Sequence, residues 1–438
     1  MKRKLLTCIA ILFLLFSLGC SNISSSSEPV TPSENSNGDP IEIEFMHIWG
    51  GSAGEAVDRL VTEYNESQDK VHVKPVFVQG SYEGILEKLQ ILATSNQLPD
   101  LVLSGFTYTN YMIKNMPIVP LQTFIDKENM DLSDFFPKML ELGKGMGEVA
   151  DGSIYGLPFV VSTPVVYYNK DLFEQAGLDP ENPPKTFDEW REVAKLLTNG
   201  DQKGIYFNYS ITGNWLFQAM TETLGGQMIA VDETQVAFNN VAGKQSLQYW
   251  VDLINVDQTM PNVDNQQAVQ SFTSGKLGVY VNTTASLRQL QAESDFEIGT
   301  APFPVDGTHP RKVPAGGNAI YMIESNTEQE EAAWDFIKFA TSPKGTTIIS
   351  EGIGYMAVRQ SAIEKDELLG KYLKEENPVA YTTYTQVDDM VPWYNYPGEG
   401  GTRIYKIVQD NIQAALTLQK SVEEALNGAA KEANQLIR

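Results

Sequence analysis

The sequence predicts an α/β fold with mostly parallel sheets flanked by helices, and three observations carry that prediction. Short apolar segments with period-two alternation take turns with segments of helical spacing along the chain. Strands that alternate with helices in this way imply a parallel sheet covered on both faces. The chain has 438 residues, enough to bury two cores, and its only cysteines are Cys8 and Cys20, so a disulfide cannot hold the body together.

The elements follow in order. Ile41 to Ile48 (IEIEFMHI) alternates and reads as a strand, which Gly50 and Gly51 break. Ala53 to Asn65 then places Val57, Leu60, Val61 and Tyr64 on one helical face. A strand from Val71 to Val78, a helix from Tyr82 to about Thr94, and a short strand from Asp100 to Leu103 complete a β-α-β-α-β series. Ser162 to Asn169 reads as one further strand and Lys170 to Ala176 as a short helix. Thr186 is placed to cap a helix from Phe187 to Thr198, with Glu189 at the capping-box position. Further helices read from Ala242 to Asn255, Glu328 to Ala340, and Ile404 to the C-terminus. Two strands, Lys276 to Val281 and Gly317 to Ile323, lie among them.

The first residues read as an address. Lys2, Arg3 and Lys4 precede an apolar run from Leu5 to Phe16 and then Ser17-Leu18-Gly19-Cys20, the order of a secretory signal peptide over residues 1–19. The apolar run is shorter than the ~20 residues a spanning helix needs. Its Gly-Cys end resembles a lipobox, with Ser17 where Leu is more usual, and makes Cys20 the candidate for lipidation. Ser21 to Pro40 is rich in Ser, Pro, Asn and Gly and almost free of apolar residues, the composition of a flexible tether. The expected location is therefore the outer face of the cytoplasmic membrane.

Charge and missing motifs exclude several functions. The formal net charge is −24 and no basic stripe offsets it, so nucleic acid is not an expected partner. His47, His72 and His309 match no metal or triad spacing, and neither a nucleophile elbow nor a P-loop is present. No catalytic residue, metal or cofactor is expected. A glycosidase with two carboxylates far apart in sequence has no motif to exclude it.

The stretch from Phe159 through YYNKDLFEQAGLDPENPPKTFDEW to Trp190 resembles the extracellular solute-binding proteins of ABC importers, a group that includes maltose- and glycerol-3-phosphate-binding proteins. The segments NQLPDLVLS (Asn96 to Ser104), SFTSGKLGVYVNTTAS (Ser271 to Ser286), GGNAIYMI (Gly316 to Ile323), AAWDFIKFATSP (Ala332 to Pro343) and GYMAVR (Gly354 to Arg359) extend the resemblance across almost all of Ile41 to Arg438. It implies a two-lobed periplasmic-binding-protein fold of type II, with discontinuous lobes and a hinge of several strands. The expected N-terminal lobe takes 41–160 plus 282–318, and the C-terminal lobe 161–281 plus 319–438. Val161 to Asn169 would leave the first lobe, Lys276 to Val281 would return, and Gly317 to Ile323 would cross again. Ligand in the cleft would hold the lobes closed. A monomer that delivers a sugar or polyol phosphate to permease subunits is implied.

Candidate ligand residues come from two sources. Trp190, Trp250 and Trp334 sit in amphipathic helical patterns and read as core, whereas Trp49, Trp215 and Trp393 lie in Gly-, Asn- or Pro-rich loops. A large aromatic in a loop is either a local plug or a platform for the C–H face of a sugar. By resemblance to the glycerol-3-phosphate-binding relatives, Tyr82 and Glu83 match a ligand-contacting pair, although Glu83 also suits a helix first turn. Ser162, Ser286, Gly317 and Tyr355 match further cleft positions. Arg403 is the candidate for phosphate, or equally a solvated residue at a helix start. Alternative functions are a secreted carbohydrate-active enzyme and a sensor or adhesin on the same fold.

Overall fold

Strand β1 (Ile41–His47) opens the fold because its alternating apolar side chains, Ile43 and Phe45 among them, can be buried on one face. It pairs in parallel with β2 (Val71–Phe77) and β3 (Leu101–Gly105). The computed structural model describes residues 39–211, 214–398 and 400–437. The expected signal peptide, Cys20 and nearly all of the tether lie outside the described residues. Pro40–Arg438 forms one compact unit. Among the described residues, no helix is long and apolar enough to cross a membrane.

Two sheets organise this unit. The first has the order β2-β1-β3-β11-β4, where β4 is Ile118–Val119 and β11 is Gly316–Ile323. Strand β5 (Gly156–Ser162) also pairs with β11. The second has the order β7-β8-β6-β9: Lys203–Phe207, Leu277–Thr283, Pro164–Asn169 and Ile298–Pro302. A small parallel pair joins β10 (Val313–Pro314) to β12 (Met390–Val391).

The expectation of mostly parallel sheets is corrected here. Strand β11 runs antiparallel to β3, β4 and β5, and β6 runs antiparallel to β8 and β9. The β-α-β opening is parallel as expected, but later segments enter each sheet from the opposite end. Strand direction depends on where the chain comes from, which apolar alternation does not encode. The expected strand from Ser162 to Asn169 is likewise two strands in two different sheets, separated by Thr163 alone.

The return path also differs. Lys276–Val281 does not bring the chain back: β8 and the following β9 both stay in the second sheet, and the first is regained only at β11. Helix Thr327–Ala340 packs on β1, and Pro343–Ile353 on helix Gly51–Ser67, so these too go with the first sheet. The sheets thus divide the chain differently from 41–160 plus 282–318 and 161–281 plus 319–438. The expected C-terminal helix is two, Gly401–Leu416 and Val422–Ala433, broken where Leu418 adopts φ +58°. Both pack on helix Val241–Asn255, whose Trp250 lies 6.3 Å from the ring of Phe207 in β7.

Local chemistry explains several of these elements. Helix Phe187–Leu197 begins with the expected capping box, Thr186 and Glu189 each bonding the other's backbone N–H. In the second sheet Tyr167, Tyr280 and Tyr206 form a ladder across β6, β8 and β7, with centroids 6.2 and 6.1 Å apart. Trp190, Trp250 and Trp334 are buried, as their helical spacing indicates.

Candidate functional site

The chain passes from the first sheet to the second through one residue. Ser162 ends β5, Pro164 starts β6, and the hydroxyl of Thr163 between them is buried. That hydroxyl lies 2.6 Å from the hydroxyl of Thr383 and accepts from Gln386 Nε2 at 2.7 Å. Thr284 Oγ1 donates to Thr163 O at 2.9 Å, and Gln386 Nε2 also reaches Pro164 O at 2.7 Å. Backbone groups freed by the change of sheet are therefore satisfied by side chains from distant segments.

Strand β11 closes on this junction through two glycines. Gly317 has φ +110°, a conformation L side chains rarely adopt, and a Cβ there would overlap Val160 O. A Cβ on Gly316 would stand 2.7 Å from Ser162 Oγ and 3.1 Å from the Trp215 ring. Only glycine lets Ser162 and Trp215 come this close to the strand.

Aromatic side chains gather around the same place. Trp49 (9% exposed) follows β1 and packs on Phe159 at 5.8 Å and on Tyr355 at 6.4 Å between centroids. Burial pushes the Tyr355 phenol up to about 12 and the Tyr82 phenol well above its ordinary value, the latter raised further by Tyr355 beside it. Tyr82 accepts a hydrogen bond from Asn318 Nδ2 at 2.7 Å. Trp215 (1% exposed) meets Trp393 (7% exposed) at 5.9 Å. Trp215 opens helix Trp215–Thr223 instead of standing in a loop, because Asn214 takes the left-handed conformation that starts the helix there. Two buried oxygens in the strands beneath, Ser104 Oγ and Asn318 Oδ1, have no partner among the described residues.

Hydrogen bonds continue from the aromatic cluster into a polar seam. Tyr108 donates to the Glu83 carboxylate. Thr107 Oγ1 donates to Tyr405 Oη at 2.8 Å, and Tyr405 donates to Tyr394 O. Asn395 Nδ2 donates to Phe106 O at 3.1 Å and to Trp393 O at 2.8 Å, while its Oδ1 accepts from Asn110 N at 3.4 Å. The loop after β3 is thereby joined to the run that leads into helix Gly401–Leu416.

The expected site residues are placed as follows. Trp49, Tyr82, Ser162, Trp215, Gly317, Tyr355 and Trp393 form one chain of neighbours around the Thr163 junction, and Glu83 adjoins it at the first turn of helix Tyr82–Thr94. Ser286 accepts from Asn282 Nδ2 at 3.1 Å, two residues after the Thr284 that bonds Thr163 O. Arg403 is exposed on the first turn of its helix and forms no ion pair among the described residues. Sequence reading missed Asn318, Asn395, Thr107 and Tyr405. Their partners lie hundreds of positions away, and a single amide or hydroxyl in a strand or loop carries no periodic signal.

Together these groups offer aromatic faces beside amide, hydroxyl and carboxylate hydrogen-bonding partners, the combination that polyhydroxylated molecules use. A family model described as bacterial extracellular solute-binding protein matches residues 50–347. The sn-glycerol-3-phosphate-binding periplasmic protein UgpB of Rhizobium meliloti (strain 1021) is 25% identical over 415 residues, covering 90% of this chain and 94% of that one. The cyclic alpha-maltosyl-1,6-maltose binding protein from Arthrobacter globiformis superposes with a TM-score of 0.77 at 26% identity, covering 91% of this chain and 99% of that structure. UgpB from Mycobacterium tuberculosis, solved with glycerophosphocholine, also gives 0.77, at 21% identity over 92% and 98% of the two chains.

Proposed function

The chain belongs to the family of bacterial extracellular solute-binding proteins, and from that premise we propose that it captures a sugar or polyol phosphate for an ABC importer, without turning it over. One observation carries this reading: beside the single-residue crossing at Thr163, the Trp215 ring closes on Gly316 of the first sheet and Asn395 bonds Phe106 O after β3, next to the Trp49–Tyr355 and Tyr82–Asn318 contacts. The segments built on the first sheet act as one lobe and those on the second as the other. Ligand that touches both favours the closed arrangement, because only contacts made in one state and not the other shift the population. Trp49, Tyr82, Glu83, Ser162, Trp215, Gly317, Tyr355 and Trp393 line or support the site in this reading. Arg403 would serve a phosphate only by turning inward, and Ser286 would act through Asn282.

The ligands for which these relatives are named, glycerol-3-phosphate and a cyclic maltosyl sugar, bracket the solute class. The sequence supports export by a signal peptide and a lipid on Cys20 that holds the protein, a monomer in this reading, at the membrane near its permease; metabolic labelling with palmitate, lost in Cys20→Ala, tests the anchor. For the solute, thermal shift of the purified protein against sugars, glycerol-3-phosphate and glycerophosphodiesters is the direct test. Stabilisation by one class, with the solute recovered chemically unchanged, is expected. Stabilisation accompanied by product formation would overturn the transport reading in favour of an enzyme.

A further inference from the structure

Residues 434–437, which follow helix Val422–Ala433, turn back onto the body. Leu436 N donates to Ala433 O at 2.8 Å, and Leu436 and Ile437 are partly buried against the core. Apolar residues just past a helix end commonly pack on that helix's own last turns. Here the segment also reaches two places elsewhere in the chain.

The first is a pair of glycines before helix Gly401–Leu416. Gly398 takes φ +86°, and a Cβ there would lie 2.8 Å from Leu436 O and 3.2 Å from Ile437 O. A Cβ on Gly400 would lie 2.8 Å from the Leu436 Cβ. Glycine at both places leaves a notch that Leu436 fills. The run 393–398 that ends in this notch carries Trp393 and Asn395 of the candidate site. Within it Tyr396 packs on Tyr394 and Tyr405, with centroids 5.2 Å apart in each pair.

The second is a hairpin over residues 228–237, closed by Ala237 N to Met228 O at 3.0 Å and Ala230 N to Gln235 O at 2.9 Å. Val236 N donates to Asn434 Oδ1 at 2.8 Å, so the segment holds this hairpin by its side. At the tip Glu233 accepts from Tyr394 Oη at 3.4 Å, and its carboxylate fills the space beside Gly147, where a Cβ would lie 2.0 Å from Oε2. Gly147 belongs to the first-sheet side. It follows Met146, whose backbone exchanges hydrogen bonds with the side chain of Asn110 after β3, at 2.9 and 3.1 Å.

Residues 434–437 therefore stand behind a run that carries site residues and behind a hairpin that meets the opposite side. A loop that must be ordered when solute arrives binds more weakly, and releases sooner, than one already held in place. We propose that Asn434 and Leu436 are positioning residues for solute capture: without touching solute, they hold the run 393–398 and the Glu233 hairpin in the arrangement that retains it. The inference rests on the solute-binding reading above and deepens it by assigning residues that set the rate of release.

The test compares the purified wild-type protein with Leu436→Ser, which empties the notch, Leu436→Met, which refills it, and Asn434→Ala, which removes the partner of Val236 N. Hydrogen–deuterium exchange without solute reads the positioning. Leu436→Ser should speed exchange about tenfold at Gly401 and Arg403, whose amides bond Gly398 O and Gly400 O, and Asn434→Ala should do so at 229–236. Both sheets should exchange as in wild type, and melting temperatures should stay within about 3 °C of it. Stopped-flow tryptophan fluorescence with maltose, maltotriose, sn-glycerol-3-phosphate and glycerophosphocholine reads capture. For the probe that binds wild type, Leu436→Ser should raise the dissociation rate about tenfold and Asn434→Ala about threefold, with association within about twofold and Leu436→Met close to wild type. Unchanged exchange at both places, or faster exchange with unchanged dissociation, would overturn the positioning role while leaving solute capture intact. An affinity loss that Leu436→Met fails to rescue, or that comes with slowed exchange nowhere and faster exchange throughout both sheets, would overturn it in favour of a role in folding alone. No binding of any of the four probes by wild type would overturn the solute reading and the positioning role with it.

Discussion

Trp215 and Trp393 pack ring against ring, 5.9 Å between centroids at 42°, joining the start of a helix to an irregular run late in the chain. Both are buried, so the pair is structural as well as a wall of the candidate site. Truncating either to Ala should cost about 3–5 kcal/mol through the cavity left behind. The double mutant should lose about 0.5–1.5 kcal/mol less than the sum of the singles, since the pair interaction is then removed only once. Urea denaturation of the four proteins measures this directly.

The crossing at Thr163 should be equally sensitive. Gln386 bonds Thr163 and Pro164 through its nitrogen and accepts from Phe303 N at 3.1 Å through its oxygen. Gln386→Leu keeps the bulk but leaves these buried groups unpaired, at about 1–3 kcal/mol for each one that water cannot reach. A lowered urea midpoint with an unchanged m-value is expected.

Arg359 should not tolerate lysine. Its guanidinium carbon lies 3.5 Å from the centre of the Phe135 ring and its Nε donates to Thr341 O at 2.7 Å. Burial lowers its pKa to about 10, with Asp134 and Asp131 opposing the shift. A lysine supplies neither the flat face nor the Nε donor at that place, and Arg359→Lys should destabilise the protein by about 2–4 kcal/mol in thermal or urea unfolding.

Glu222 should set a pH dependence of stability. Burial raises its carboxyl from 4.5 to about 7, against the lowering influence of Lys312 and of Gln218, whose Nε2 donates to it at 3.1 Å. The unfolded chain ionises this group near 4.5 and the folded chain near 7, so its contribution to stability falls as pH rises between those values. Glu222→Gln should match wild type near pH 4 and exceed it by about 3 kcal/mol near pH 8. Melting temperatures of the two proteins across that range check the sign as well as the size.

Much of the scaffold is legible in the sequence because it rests on local rules. The alternation of Ile41 to His47, the apolar face Val57-Leu60-Val61-Tyr64 and the Thr186–Glu189 capping box need only neighbouring residues to act. The single-residue crossing is not legible, since GLPFVVS and PVVYYN are equally apolar and nothing in composition says that they join different sheets. Strand direction is hidden for the same reason. The candidate site shows the same division. Its large aromatics stand out as residues without a helical face, whereas Asn318 and Asn395 gain meaning only from partners brought close by folding.

The central claim is that solute is held between segments of both sheets around Thr163. Hydrogen–deuterium exchange of the purified protein, with and without the solute that stabilises it most in thermal shift, tests this most directly. Slowed exchange is expected on both sides at once: at Tyr82 to Ile85 and Phe106 to Asn110 on the first, and at Trp215 to Gln218 and Tyr394 to Tyr405 on the second. Protection confined to one of these sides, or found only far from the crossing, would contradict capture between the two.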